Sequence, residues 1–452
     1  MRKKVALLVI LLFLTLLLIL AVMKNTKSDQ YKEADEVCVT VEESVDVEDS
    51  VVDESVDSVE ESIETVDKSD TEESGINDNA PSIAGISDIA EVTDETSSQD
   101  ELFEKKVDDH VSKMTLEEKV YQLFVVAPEQ LTGTGTVTAA GETTRDSLQK
   151  YPVGGILYFS NIIQNSSQTQ EMLSDTQKIA METEGIPLFL CVDEEGGRVT
   201  RIAGKPGFDI QKSEPMSKIG SADDAYETGR FIGDYLSELG FNVDFAPDAD
   251  VLTNPQNTVI GNRSFGSDPE YVKECALGYA KGLNEKGVLS TFKHFPGHGA
   301  TAGDSHQGFA YTDKTIDELK EAELVPFMSA QSAGIDMIMV AHMSVPSIEG
   351  DNTPCSLSYH MITEVLREEL GYEGIIITDA MNMGAITSSY SCDQAVIMAV
   401  KAGADLILCP SDLETAGSAL INAFQTGEID EEILDNAVRR IVSKKMSSWG
   451  RG

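Results

Sequence analysis

The chain has 452 residues, long enough for more than one average domain, although parallel barrels often use 250 or more as a single unit. It carries 78 acidic and 34 basic side chains, for a formal net charge of −44. A field of that sign repels nucleic-acid phosphates and anionic lipid head groups, so no nucleic-acid partner is expected.

The first 27 residues, MRKKVALLVILLFLTLLLILAVMKNTK, place three cations before an uncharged, largely apolar run from Val5 to Met23. A run of about 20 such residues matches the length of a membrane-crossing helix, and the apolar part of a cleavable signal is shorter. The segment reads as a membrane anchor with its cationic end in the cytoplasm, with a cleaved secretion signal as the alternative. Everything after Lys24 is then extracytoplasmic. Cys38 lies too far from the apolar run to mark a lipid-attachment site.

Residues 28–101 read as a disordered acidic linker. Residues 29–101 hold 26 acidic side chains against 2 basic ones, and the phrases VEESVD, VDESVD and VEESIE recur. With few aromatic residues, such a segment buries too little apolar surface to offset its chain entropy. As a flexible tether of about 70 residues it would span on the order of 45–50 Å.

From residue 102 the texture is that of one folded domain, residues 102–452. Thr115 followed by Glu118 forms a capping-box pattern at the start of TLEEKVYQLF. Eight apolar runs follow, at 122–127, 153–159, 187–193, 241–247, 289–295, 336–343, 374–381 and 404–410. Runs of this kind suit parallel strands buried on both faces, and the helical stretches between them supply the crossovers. Eight alternations predict an α/β fold of the (β/α)8 TIM-barrel type, ending in the helix EEILDNAVRRIVSKKM. A doubly wound open sheet is the alternative, but no GxGxxG follows the first run. The five cysteines of this part (Cys191, Cys275, Cys355, Cys392 and Cys409) form neither a disulfide framework nor a CxxC pair.

Barrels carry their chemistry at the C-terminal ends of the strands. Those ends offer Asp193, Glu194, Glu195, Arg198 and Arg201 after the third run, and Asp248, Asp250 and Arg263 after the fourth. Lys293, His294, His298, Asp304 and His306 follow the fifth, His342 the sixth and Asp379 the seventh. A carboxylate such as Asp379 at a barrel mouth can attack an electrophilic carbon, and it can equally serve as a turn or helix-cap residue. Asp304 and His306, two apart in a glycine-rich loop, can pair as a carboxylate-oriented acid, or stand as two solvated loop residues. Lys293 and His294 are neighbours in a strand, so both can reach one ligand only at a bulge or strand end. The His294-x3-His298 spacing is a poor metal signal, because Pro296 and Gly297 forbid the helix on which it would converge, and Lys293 would repel a cation.

The phrases DEEGGRVTR, NVDFAPDADV, VIGNRSFGSDP, KHFPGHG, GDSH and ITDAMNMGAI, in this order over roughly residues 105–448, resemble glycoside hydrolase family 3, and within it the β-N-acetylglucosaminidase (β-hexosaminidase) branch. The resemblance implies a barrel, retaining chemistry and no metal or other cofactor. It implies that Asp379 is the nucleophile and that His306, oriented by Asp304, is the acid/base. It further implies sugar-hydroxyl and acetamido contacts from Asp193, Arg201, Arg263, Lys293 and His294, with Asp250 at a matching position. The GDSH loop is the mark of the branch that supplies its acid/base from within the barrel rather than from a second domain. Glu194 stands where glutamine is commoner, Asn262 where aspartate is common, and QGFAYT after His306 is unusual. The expected activity is retaining exo-hydrolysis of terminal β-linked N-acetylglucosamine from cell-wall or other glycans. A phosphorylase on the same fold and a tethered glycan-binding protein without catalysis are the alternatives.

Overall fold

The computed structural model describes residues 88–302 and 310–449. The expected anchor at 1–27 and most of the acidic linker lie outside the described residues. Among the described residues no helix is long and apolar enough to cross a membrane. The first described helix, α1, runs Asp88–Val111 and so begins within the segment expected to be linker. Val107 and Val111 on its last turns are buried, and Glu104 and Asp108 pair with Arg439 of the C-terminal helix, which explains why an acidic stretch is helical here. The next helix, Leu116–Gln122, starts at the expected capping box: the Glu118 backbone N–H donates to Thr115 Oγ1, and Glu118 Oε2 accepts the Thr115 N–H at 2.7 Å.

All eight apolar runs contain a strand. They are β1 (Phe124–Val126), β2 (Gly155–Leu157), β3 (Phe189–Val192), β4 (Val243–Asp244), β5 (Thr291–Phe295), β6 (Met337–Val340), β7 (Ile375–Thr378) and β8 (Ile407–Leu408). Every strand residue is buried, as parallel strands covered on both faces require. The strands form two parallel sheets, ordered β4-β3-β2-β1-β8 and β5-β6-β7. Isolated parallel bridges join their edges, Val243 with Leu289 and Asp248 with Lys293 on one side and Ile377 with Leu406 on the other. The fold is therefore α/β with parallel strands in sequential order. The five body cysteines are free thiols, all buried except the partly exposed Cys392.

Two local features position the site. The helices Ala222–Leu239 and Pro269–Glu285 cross with backbones in contact, because a Cβ on Gly229 would fall 2.1 Å from the Tyr279 carbonyl oxygen. That approach carries the Tyr279 side chain under the end of β3. The second feature is in β5, whose pairing with β6 shifts register between Phe292 and Phe295. Phe292 and Phe295 consequently both stack edge-on against Phe327, with ring centroids 6.4 and 5.5 Å away, whereas in a regular strand residues three apart point to opposite faces. Lys293 and His294 are both left facing the opposite way, and the peptide between them is cis.

Candidate active site

The end of β3 is an elbow whose successive side chains part company. Glu194 turns into the protein, where its carboxylate accepts the backbone N–H groups of Arg201 (2.5 Å), Ile202 (3.1 Å) and Ala203 (2.8 Å) and the Tyr235 hydroxyl (2.9 Å). It folds the following loop onto itself. Burial pushes Glu194 above the usual carboxylate range, although the three backbone donors work against that. Asp244 Oδ1 accepts the Glu194 N–H at 2.9 Å, and the Tyr279 hydroxyl lies 3.2 Å from the carbonyls of both Glu194 and Glu195. With the elbow held this way, Asp193 and Glu195 point together toward β5.

There they meet Lys293. Its Nζ is 3.0 Å from Asp193 Oδ1 and 2.5 Å from Glu195 Oε1. Asp193 Oδ2 is also 3.5 Å from Arg201. Glu195 accepts a two-pronged pair from Arg263, Nε to Oε2 at 2.9 Å and NH2 to Oε1 at 2.8 Å. Burial alone would raise Glu195, but Arg263 and Lys293 hold it well below the usual carboxylate range. Glu195 and Asp193 in turn raise Lys293 against its own desolvation.

The far side of Arg263 touches His294, with NH2 3.3 Å from Nε2. His294 Nδ1 is 2.7 Å from Asp250 Oδ2, while Asp250 Oδ1 accepts the His298 backbone N–H at 2.5 Å. Burial and then Arg263 push His294 down to about 4, so the imidazole is neutral at neutral pH. His298 is lowered to about 4 by burial; its Nδ1 lies 3.2 Å from Thr301 Oγ1, and Asn257 donates to its carbonyl. Its place is in the turn, as its position in PGHG suggested. Asp248 is fully buried, lies 3.5 Å from Arg263 Nε, and keeps one oxygen without a hydrogen-bond partner among the described residues. Burial and the neighbouring Asp250 raise it to about 8. Asp248, Asp250 and His294 are close enough together to share an ion. Both Asp250 oxygens and both His294 nitrogens, however, are already engaged in hydrogen bonds, and Arg263 stands against two of the three side chains.

Asp379 follows directly on β7. Its backbone N–H donates to Val340 O on β6 at 2.9 Å, and its Oδ1 accepts the Ala380 N–H at 2.7 Å. His342 beyond β6 lies 2.9 Å through Nε2 from the Ala380 carbonyl and 2.7 Å through Nδ1 from Ser356 Oγ, which fixes the turn that presents Asp379. Asp379 is half-buried, and its charge reaches both His294 and His298.

The structure thus brings Asp193, Arg263, Lys293, His294 and Asp250 into one cluster at the C-terminal strand ends, which Arg201 joins through its ion pair with Asp193. Exposure divides them: the side chains of Asp193 and Arg201 are 18% and 26% open, while those of Lys293 and Asp250 are 3% and 0%. Asp304 and His306 lie outside the described residues. The chain leaves for them from Ala302 and returns at Tyr311, and these two exchange backbone hydrogen bonds of 3.0 and 3.2 Å. Glu195 and Asp248 were legible only as members of the strand-end set. Period-two alternation past the end of β3, which puts Glu195 beside Asp193 and Glu194 away from both, is the signal that would have singled Glu195 out.

Parallel strands thus deliver a mixed carboxylate, cation and imidazole cluster to one end of the fold. The chain belongs to glycosyl hydrolase family 3, whose N-terminal domain description matches residues 115–444. It is 35% identical over 312 residues to beta-hexosaminidase LpqI of Mycobacterium tuberculosis, covering 67% of this chain and 78% of that one. It is 33% identical over 322 residues to beta-hexosaminidase A of Pseudoalteromonas piscicida, covering 66% of this chain and 54% of that one. The structure of a family 3 β-N-acetylglucosaminidase from Paenibacillus sp. str. FPU-7 superimposes with a TM-score of 0.69 at 35% identity, over 74% of this chain and 63% of that one. The chain therefore spans little more than half the length of the Pseudoalteromonas enzyme and less than two thirds of the Paenibacillus one.

Proposed function

We propose that this protein is a retaining exo-β-N-acetylglucosaminidase whose nucleophile is Asp379. The observation that carries the reading is the placement of a half-buried carboxylate at the end of β7, within electrostatic reach of His294 in the polar cluster. Beta-hexosaminidase relatives and a β-N-acetylglucosaminidase neighbour support the substrate class. We read the eight strands as a closed (β/α)8 barrel, a reading supported by the bridges Val243–Leu289 and Ile377–Leu406 at the sheet edges.

In the proposed reaction a terminal β-linked N-acetylglucosamine enters at the strand ends. The open groups Asp193 and Arg201 bind its hydroxyls, with Lys293, His294 and Arg263 behind them. An Asp379 oxygen bonds to the anomeric carbon as the glycosidic C–O bond breaks, and His306, held by Asp304, gives its proton to the departing oxygen. The neutral His306 then takes a proton from water. That water attacks the same carbon, the bond to Asp379 breaks, and the sugar leaves with retained configuration.

We place the enzyme outside the cytoplasm, anchored through residues 1–27 and tethered by the acidic segment up to α1, with cell-wall glycans as substrates. A chromogenic β-N-acetylglucosaminide assay, with proton NMR of the first anomer released, tests the activity and its stereochemistry. A first-formed α-anomer would overturn the retaining reading. Accumulation of a sugar 1-phosphate in phosphate buffer would replace hydrolysis with phosphorolysis.

A further inference from the structure

Glu195 cannot itself touch a substrate, because its side chain is 1% exposed, yet it holds the guanidinium that faces a histidine of the cluster. We infer that Glu195 is a positioning residue which, through Arg263, locks His294 into the neutral tautomer that carries its proton on Nδ1.

The argument is one of donors and acceptors. A guanidinium has only N–H donors and keeps its charge in proteins. Arg263 presents its Nε and NH2 edge to Glu195 as a fork, which removes its freedom to rotate. One NH2 hydrogen goes to Glu195 Oε1, and the other is left facing His294 Nε2 at 3.3 Å. Were Nε2 protonated, two donors would meet head-on, so Nε2 must be bare. Nδ1 then carries the proton and donates it to Asp250 Oδ2 at 2.7 Å. Asp250 is steadied in turn by the His298 N–H on its other oxygen. A doubly protonated ring is disfavoured by burial and by the cations Arg263 and Lys293, the direction in which His294 is shifted.

The consequence for binding rests on the function proposed above. A histidine in this form has no proton to offer a ligand and one lone pair. A sugar hydroxyl meeting His294 must therefore donate to Nε2, in place of the long bond from Arg263. A site built to accept from a hydroxyl rejects an analogue that lacks one, since its own buried group is then left unpaired.

The test reads the tautomer directly and needs no substrate. In full-length protein labelled with 15N-histidine, long-range proton–nitrogen correlation reports which ring nitrogen is protonated, with His294→Asn identifying the signal. The expected result is a neutral His294 with a protonated Nδ1 and a bare Nε2 from about pH 5 to 8. A protonated Nε2, or an imidazolium at pH 7, overturns the inference whatever the enzyme's substrate. Glu195→Gln and Arg263→Lys, each checked for folding by circular dichroism, should allow the second tautomer and raise KM for the chromogenic substrate about tenfold or more, with a smaller change in kcat. An unchanged tautomer in a folded Arg263→Lys variant removes Arg263 from the role. Because the wild-type spectrum is decisive alone, loss of the sugar-hydrolase reading and loss of the tautomer lock are separately visible.

Discussion

Lys293 Nζ and Glu195 Oε1 lie 2.5 Å apart with side chains 3% and 1% exposed, joining the end of β5 to the elbow after β3. The pair exists because β5 shifts register at this point and because Glu194 turns away from its two neighbours. It sets the floor of the site, on which Asp193 and Arg201 stand nearer the solvent.

Removing one member of such a pair leaves buried charge behind. Glu195→Ala removes the nearest partner of both Lys293 and Arg263 and leaves them only Asp193 and Asp248, so the expected loss of stability is about 3 kcal/mol, read as a lower urea midpoint. A midpoint within experimental error of the parent would show that the cations relax into solvent.

Asp379→Asn tests the chemistry with little effect on the fold. The amide keeps the oxygen that accepts the Ala380 N–H. The expected outcome is a kcat lower by about 10³-fold or more with an unchanged melting temperature. Near-normal turnover in this variant would remove Asp379 as nucleophile.

His298 governs a pH dependence of stability. Its pKa is about 4 in the folded protein, below the ordinary value of 6.5, so the unfolded chain binds the extra proton first. Its contribution is fully present above pH 6.5 and is lost as the pH falls toward 4, by about 3 kcal/mol in all. Asp248 works in the opposite sense, because its pKa is raised and its contribution fades as the pH climbs through about 8. Comparing His298→Asn with the parent cancels that term. The stability gap between them should narrow from pH 7 to pH 4, and a gap independent of pH would contradict a buried neutral His298.

Gly229→Ala reaches the site from a distance. The new methyl would overlap the Tyr279 carbonyl at 2.1 Å, so the two helices must separate. Overpacking of this kind costs about 1–3 kcal/mol. The same movement pulls the Tyr279 hydroxyl from the carbonyls of Glu194 and Glu195, so KM should rise together with the fall in melting temperature.

Much of the fold was legible because the signals are local. Each of the eight apolar runs became a buried strand, and the Thr115–Glu118 box opened its helix, since alternation, run length and capping act over a few residues. The start of α1 was not legible. Its composition reads as acidic linker, and the pairing of Glu104 and Asp108 with Arg439, more than 300 residues away in the chain, is a tertiary event.

At the site, the sequence by itself determined which groups are available: the strand-end positions of Asp193, Asp250, Arg263, Lys293, His294 and Asp379 follow from the pattern of strands. Tertiary structure decided what each does. Glu195 and Asp248 emerged as partners of Lys293 and Arg263 only when β3, β4 and β5 were side by side. Arg263 is held in a fork by Glu195, and Lys293 and His294 share a face because of a register shift that depends on the pairing with β6. The physical reason is range. Propensity and periodicity act between near neighbours, whereas the protonation and direction of a buried charge are set by whichever groups the fold brings within about 3–4 Å of it.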